Sequence, residues 1–162
     1  MSRTGPLVLW TTRWQKLMRD ANDALANGDL KNARQGYEDG AALARGQLDL
    51  ALAGTSALVD RHAASAYFVA TSNLAEYFSQ MGQVVKAESV FEGAFAYAER
   101  WLRSRRGQPA VIEDLLRMLK FPMADYLALG AADEDTRRLR LQRLASLLDV
   151  ISSGRFAPAA LC

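Results

Sequence analysis

The chain has 162 residues, of which 50% are hydrophobic and 23% are charged. A chain of this length and composition is expected to fold as one globular domain, residues 1–162, and intrinsic disorder is excluded. The net charge of +2 favours neither a nucleic-acid surface nor a membrane surface, and the lone cysteine, Cys162, cannot form an internal disulfide.

Targeting and membrane signals are weak in this sequence. Residues 1–12 contain only a brief apolar run, which is shorter than the apolar core of a secretory signal. No other segment approaches the roughly 20 apolar residues of a membrane span. We therefore expect a cytoplasmic protein with no membrane contact, and the lone cysteine fits that reducing compartment.

Apolar residues recur with the period of a helix along almost the entire chain, and no segment alternates with period two. The first helix is predicted to end at Asn27-Gly28. Asp29 is the expected N-cap of the second helix. A third helix is predicted over residues 59–81, and a fourth over residues 84–104.

The second half of the chain contains prolines and an acidic cap that delimit its helices. Pro109 suits the first turn of a fifth helix, and Pro122 is expected to break or kink that helix near Phe121. Asp133 is the expected N-cap of a sixth helix, and residues 154–162 are expected to form a loose tail. The sequence therefore predicts an all-α protein of about six helices.

Two stretches of the chain repeat one pattern of small, glycine and aromatic residues. Superposing one turn glycine on the other aligns four pairs: Gly28 with Gly82, Ala21 with Ala75, Ala33 with Ala87, and Tyr37 with Phe91. Such spacing is typical of a helix–turn–helix repeat, in which small residues let two helices cross closely and glycine makes the turn. The predicted units are residues 13–53 and 59–104, followed by a divergent C-terminal helical cap over residues 109–153.

The repeated pattern resembles the tetratricopeptide repeat (TPR). The second unit, with Asn73-Leu74-Ala75 before its glycine and Ala87-Glu88 after it, is most similar to the longer-helix repeats of kinesin light chains. The first unit departs from the family at Gly40, where alanine is usual. The resemblance implies an antiparallel helix–turn–helix stack, a right-handed α-α superhelix, whose first helices line a concave groove that holds a partner peptide or helix.

The resemblance also implies which side chains face the partner, namely those on the first helix of each unit that packing does not use. These partner-binding residues are Gln15, Met18, Arg19, Asn22, Val69, Ser72, Asn73, Glu76 and Gln80, with Leu25, Ala26 and Ser79 beside them. Asn22 and Asn73 match two asparagines that help hold a peptide's terminal carboxylate in chaperone-binding members. Because those members have lysine where Met18 stands here, we expect a polar peptide groove rather than a carboxylate clamp.

Other chemistry has little support in the sequence. His62 is the only histidine, so no His/Cys metal set can form. There is no phosphate-binding glycine loop and no nucleophile motif, and we expect no enzyme activity, no cofactor and no metal. The sixth helix carries a basic cluster that consists of Arg137, Arg138, Arg140 and Arg143. We expect this cluster to be a solvated face, and nucleic-acid contact is the less favoured interpretation.

The positions of the three tryptophans predict their roles. Trp14 and Trp101 lie on apolar stripes and are expected in the core. Trp10 precedes the first apolar stripe, and two placements stay open for it: an exposed binding anchor, or a cover over the end of the stack.

The favoured function is a protein–protein interaction module: an adaptor or small chaperone that binds a partner peptide or helix in the groove. Class II chaperones of type III secretion are similar in length and fold type. Each repeat unit buries its apolar face only against the neighbouring units. The apolar surface that two units leave uncovered must therefore be covered by the last helices, or by a second copy of the chain in a homo-oligomer. The alternative is a regulatory or sensory helical domain that binds a small ligand or nucleic acid.

Overall fold

The computed structural model of the chain describes residues 5–55, 62–104, 106–130 and 133–153. Within these ranges the chain forms six α-helices and no strand: α1 Gly5–Ala26, α2 Leu30–Leu52, α3 Ala63–Gln80, α4 Val84–Ser104, α5 Pro109–Ala128 and α6 Glu134–Ser153. The predicted all-α class is confirmed. The predicted start of the third helix at 59–61 and the predicted tail at 154–162 lie outside the described residues.

α1 and α3 end in the same backbone turn. Gly28 and Gly82 have φ angles of 77° and 70°, a left-handed conformation that glycine adopts without a steric penalty. In both turns the glycine N–H donates to the carbonyl three residues back, and the next N–H donates to the carbonyl five residues back. These two bonds define a Schellman motif. The two aligned glycines therefore share one turn geometry, which Gly54 (φ 68°) repeats at the end of α2.

The predicted N-caps of α2 and α6 and the place of Pro109 in the first turn of α5 are confirmed, and of the break or kink expected near Phe121 the break does not occur. Asp29 and Asp133 cap α2 and α6, because their side chains accept from the N–H groups of Asn32 (3.2 Å) and Thr136 (2.7 Å). α5 runs without interruption through Pro122 to Ala128. The Pro122 ring is buried in the core, so packing offsets the backbone bond that proline cannot make.

The helices form three hairpins: the first hairpin is α1–α2, the second is α3–α4 and the third is α5–α6. α3 lies at the centre, because it contacts α2, α4 and α5, and α6 packs on α4 and α5. The six aligned alanine and aromatic positions of the first two hairpins all lie in the core, none more than 3% exposed. Trp10 lies within α1 and is 7% exposed, so it is a core residue and not an exposed anchor. Trp14 and Trp101 are partly buried and pack against the core.

Four tyrosine hydroxyls each connect two helices, and three of these pairs are successive in the chain. Each donates to an oxygen on an earlier helix: Tyr37 to Asn22 Oδ1 (2.7 Å), Tyr77 to the Leu30 carbonyl (3.0 Å), Tyr97 to Asp49 Oδ1 (2.8 Å) and Tyr126 to Glu92 Oε1 (2.7 Å). Burial raises the pKa of four tyrosines above the usual value near 10.0: Tyr37, Tyr67, Tyr97 and Tyr126. For Tyr97 and Tyr126 the bonded carboxylate raises the pKa further.

The close approach of α1 and α2 can be tested at two glycines of the same helix. The Cβ that alanine would add at Gly36 lies 2.8 Å from Ala21 Cβ, whereas a Cβ at Gly46 meets no atom within 4 Å. We expect Gly36→Ala to lower the free energy of unfolding by about 1–3 kcal/mol through overpacking. Gly46→Ala should raise it by about 0.5–1 kcal/mol, because alanine favours the helix. Urea denaturation of both variants measures these changes, and equal stabilisation by both would contradict the close crossing.

The buried tyrosines predict a loss of stability in alkali. Their folded-state pKa values lie above the unfolded value, so the unfolded chain releases these protons first as the pH rises. Stability should be constant near neutrality and fall above about pH 10, by up to about 1.4 kcal/mol per pH unit for each such tyrosine. We expect Tyr97→Phe to reduce this slope when unfolding is measured from about pH 8 to about pH 11. An unchanged slope would show that Tyr97 ionises equally in both states.

Candidate functional site

A cleft of about 300 Å³ lies between the C-terminal halves of α3 and α5, and we call it the α3–α5 cleft. Its lining comes from three helices and the turn after α5: Ser72, Asn73, Glu76, Ser79, Phe91, Asp125, Ala128, Leu129 and Gly130. Ser72, Asn73 and Glu76 belong to the partner-binding set expected from the sequence. The structure therefore brings three of those nine residues together in one concave site.

One hydrogen bond crosses the cleft and sets the register of its two walls. Ser72 Oγ on α3 donates to Asp125 Oδ2 on α5 over 2.7 Å. Beside it, Glu76 Oε1 accepts from Gln80 Nε2 over 2.9 Å. Apolar lining comes from the exposed Ala128, and the Phe91 side chain behind the lining is buried in the core. The cleft therefore combines a small apolar surface with hydroxyl, amide and carboxylate groups.

Asn73 stands between the cleft and the first hairpin. Its Nδ2 contacts Met18 Sδ on α1 at 3.8 Å. A thioether sulfur is a weak acceptor, so the amide can exchange this contact for a carbonyl or carboxylate oxygen at little cost. Asn73 is half-buried, which keeps its side chain in a limited range of orientations.

Met18 is a correction to the expected partner-binding set. Its side chain is only 6% exposed, because it fills the space beside Gly40. A Cβ added at Gly40 would lie 2.0 Å from Met18 Cε. Glycine at this position of α2 leaves the space that the end of the Met18 side chain occupies. Met18 therefore packs α1 against α2 and does not face a partner.

The other expected residues stay at the surface but outside the cleft. Gln15 and Arg19 are exposed on α1, and Val69 and Gln80 are exposed on α3. Asn22 is exposed as well, but its Oδ1 accepts the Tyr37 hydroxyl at 2.7 Å. Part of the hydrogen-bonding capacity of Asn22 thus serves the α1–α2 contact.

Asp125 is the charged cleft residue that sequence reasoning missed, along with Phe91, Ala128, Leu129 and Gly130. Asp125 lies in the last turn of α5, which ends at Ala128, and a carboxylate near a helix C-terminus opposes the helix dipole. That unfavourable placement is a signal in the sequence, because helix stability gives no reason for it. The opposing wall residue, Glu76, lies within about one turn of the end of α3 in the same way.

The basic cluster of α6 is in part internal. The buried Arg140 guanidinium donates to Glu88 Oε1 from Nε (2.9 Å) and Nη2 (2.6 Å), and to the Leu129 carbonyl from Nη1. Arg143 donates to Glu92 Oε2 and Glu99 Oε1, both at 2.6 Å. The expected solvated face is therefore wrong for these two arginines. It holds for the other two members of the cluster, Arg137 and Arg138, which are exposed.

Further comparisons add no named relative. No family model, curated protein or solved structure matches the chain. Among the described residues, no three His, Cys, Asp or Glu side chains are grouped so as to hold a metal ion. Within the same part of the chain, no helix combines the length and apolar character needed to cross a membrane. Function must therefore be inferred from the residues of the cleft.

The internal role of Arg140 predicts a large stability effect. Arg140→Met leaves the Glu88 carboxylate and the Leu129 carbonyl without this donor, and we expect the free energy of unfolding to fall by about 3 kcal/mol. Arg138→Met, which removes an exposed pair with Asp135, should cost less than about 1 kcal/mol. Chemical denaturation of both variants makes the comparison. Adding Glu88→Gln to Arg140→Met should recover part of the loss, and equal effects of the two single changes would refute the assignment.

Proposed function

We propose that this chain is a protein–protein interaction module, an adaptor or small chaperone, that holds a peptide or helical segment of a partner protein. The site is the exposed face of α3 together with the α3–α5 cleft. The proposal is carried by one observation: Ser72, Asn73 and Glu76 converge with Asp125 in a single concave site. Three of these four residues are expected to face a partner from the resemblance to the tetratricopeptide repeat.

The side chains of the cleft suit a peptide backbone. An asparagine amide can donate to a peptide carbonyl and accept from a peptide N–H, and carboxylates accept from N–H groups. The exposed Ala128 offers a small apolar surface for one side chain of the partner. This mixture of fixed polar groups and an apolar surface is what grooves that bind extended segments use.

The exposed stripe of α3 extends the site beyond the cleft. Val69, Asn73, Glu76 and Gln80 follow one another at helical spacing along one face. These residues span about 16 Å at 1.5 Å per residue, which matches about five residues of an extended peptide. A segment of that length could contact the stripe and place one side chain in the cleft.

We further propose that the three hairpins form a TPR-like stack in which α1, α3 and α5 are equivalent. The contacts between these helices support this arrangement. Asn73 meets Met18 at a separation of 55 residues, and Ser72 meets Asp125 at a separation of 53 residues. We place the module in the cytoplasm because a lone cysteine suits a reducing compartment, and self-association remains an outcome to be measured.

The alternative function is a regulatory or sensory domain that binds a small ligand. One observation favours it: the cleft volume of about 300 Å³ lies at the lower end of the about 300–1,000 Å³ that small-molecule sites occupy. Nucleic-acid binding has less support, because Arg140 and Arg143 are engaged with carboxylates of α4.

The proposal is tested by partner capture from native lysate followed by direct binding. The intact chain should retain a protein, and a synthetic peptide from the captured contact region should bind the purified chain. We expect Asn73→Ala with Glu76→Ala to weaken that peptide by about 10–100-fold, since two polar contacts are removed. Isothermal titration measures the affinity, and circular dichroism checks that helicity is unchanged.

A matched control changes two exposed residues of α6 that do not line the cleft. Gln142→Ala with Asp149→Ala should leave both capture and peptide affinity unchanged. If the cleft variant and the control bind equally, the partner uses another surface. Capture of nucleic acid or of a small molecule in place of a protein would favour the alternative function.

A further inference from the structure

We infer that the α3–α5 cleft takes a cationic side chain, lysine or arginine, from the bound partner segment. The inference rests on the proposed function and adds the chemistry of the partner. Two of the lining residues are carboxylates, Glu76 on α3 and Asp125 on α5. Among the described residues that line the cleft, none is basic.

The backbone adds to the negative potential of the side chains. Part of each wall lies in the last turn of a helix: Ser79 in α3, which ends at Gln80, and Asp125 in α5, which ends at Ala128. Each helix C-terminus carries about half a negative charge on its last carbonyl groups. The side chains and the helix dipoles therefore favour the same ligand, a cation.

The carboxylates keep acceptor capacity for a ligand. Asp125 Oδ2 accepts a hydrogen bond from Ser72 Oγ, and Glu76 Oε1 accepts one from Gln80 Nε2. An ionised carboxylate has two oxygens with about four acceptor sites in total, so each can also accept from an ammonium or guanidinium group. Charge-assisted bonds of this kind are shorter and stronger than neutral ones.

The nearby cations of the chain already have other contacts. Arg140 lies behind the cleft, where it bonds Glu88 and the Leu129 carbonyl, and its side chain is 3% exposed. On α5, Arg117 pairs with Asp114. Lys120 lies over the Phe121 ring at 5.0 Å from its centroid, more than one turn before Asp125. Among the described residues, these three cations therefore already have partners other than Glu76 and Asp125.

The shape of the site suits a long side chain better than a small ion. The cleft of about 300 Å³ has the exposed Ala128 in its lining, together with the side chains of Glu76 and Asp125. A lysine or arginine presents an apolar stem and a charged end. The stem would cover the apolar lining, while the charged end would reach between Glu76 and Asp125.

The test uses two capped tripeptides that differ only in charge. Acetyl-Ala-Arg-Ala-amide and its citrulline twin have nearly the same shape, and each is titrated into the isotope-labelled full chain. We expect the arginine peptide to shift the backbone amide signals of Ser72, Glu76 and Gly130 in a saturable way. The citrulline peptide should bind at least about ten-fold more weakly. A lysine peptide should behave like the arginine peptide, and its acetyl-lysine twin like the citrulline peptide.

Two double variants, each replacing two carboxylates by amides, test whether the preference for the charged peptide depends on the cleft. Glu76→Gln with Asp125→Asn keeps the size of both side chains, and the amide oxygen introduced on α5 can still accept from Ser72 Oγ, so the fold should persist. This variant should bind the charged and neutral peptides equally. Glu113→Gln with Asp149→Asn changes two exposed carboxylates outside the cleft and should keep the full preference.

The outcomes separate this inference from the proposed function. No saturable shift, equal affinity for the neutral peptide, or a preference that survives Glu76→Gln with Asp125→Asn would overturn the inference. If the Asn73→Ala with Glu76→Ala variant still fails to capture the partner, the proposed function stands even though the inference about a cationic side chain is overturned. If a free diamine binds as tightly as the arginine peptide, the site recognises a small cation and the peptide assignment is wrong.

Discussion

The carboxylate of Glu92 joins three helices, and the placement of the third hairpin depends on it. Its Oε1 accepts the Tyr126 hydroxyl of α5 at 2.7 Å, and its Oε2 accepts Arg143 Nε of α6 at 2.6 Å. α6 buries only a few apolar side chains, so directional polar bonds hold it where a wide apolar face would otherwise do so. Because Tyr126 directly follows Asp125, the same carboxylate also positions one wall of the α3–α5 cleft. Hydrogen bonds have narrow geometric limits, which gives the cleft a defined register.

The fold of the first two hairpins was accessible from the sequence because its signals are local. A turn glycine and a capping aspartate act within a few residues of the helix ends that they determine, and Gly28 and Asp29 specify the first turn in this way. Pro122 shows the limit of such reasoning. Its local effect is unfavourable in a helix, but the ring is buried in the core. Tertiary packing overrides propensity at such positions.

The candidate site was accessible only in part, for a related reason. Helical spacing identified the α3 residues of the cleft, but the wall that faces them comes from α5, and Ser72 meets Asp125 across 53 residues. The solvated face expected for the basic cluster of α6 is wrong for two of its arginines, because their partners lie on another helix. An acidic stripe on α4 complements Arg140 and Arg143, and it consists of Glu88, Glu92 and Glu99. Comparing the acidic residues of α4 with the basic residues of α6, instead of considering each helix alone, would have predicted that contact.

The placement of the tryptophans gives the chain a built-in optical probe of cooperativity. All three, Trp10, Trp14 and Trp101, lie in α1 and α4, and α5 and α6 contain none. Indole emission therefore reports on the first two hairpins, whereas far-ultraviolet dichroism weights all helices equally. Denaturation curves from the two signals coincide for all-or-none unfolding and separate when the third hairpin detaches first. The natural fluorophores thus distinguish a concerted transition from stepwise loss of the C-terminal helices without any added label.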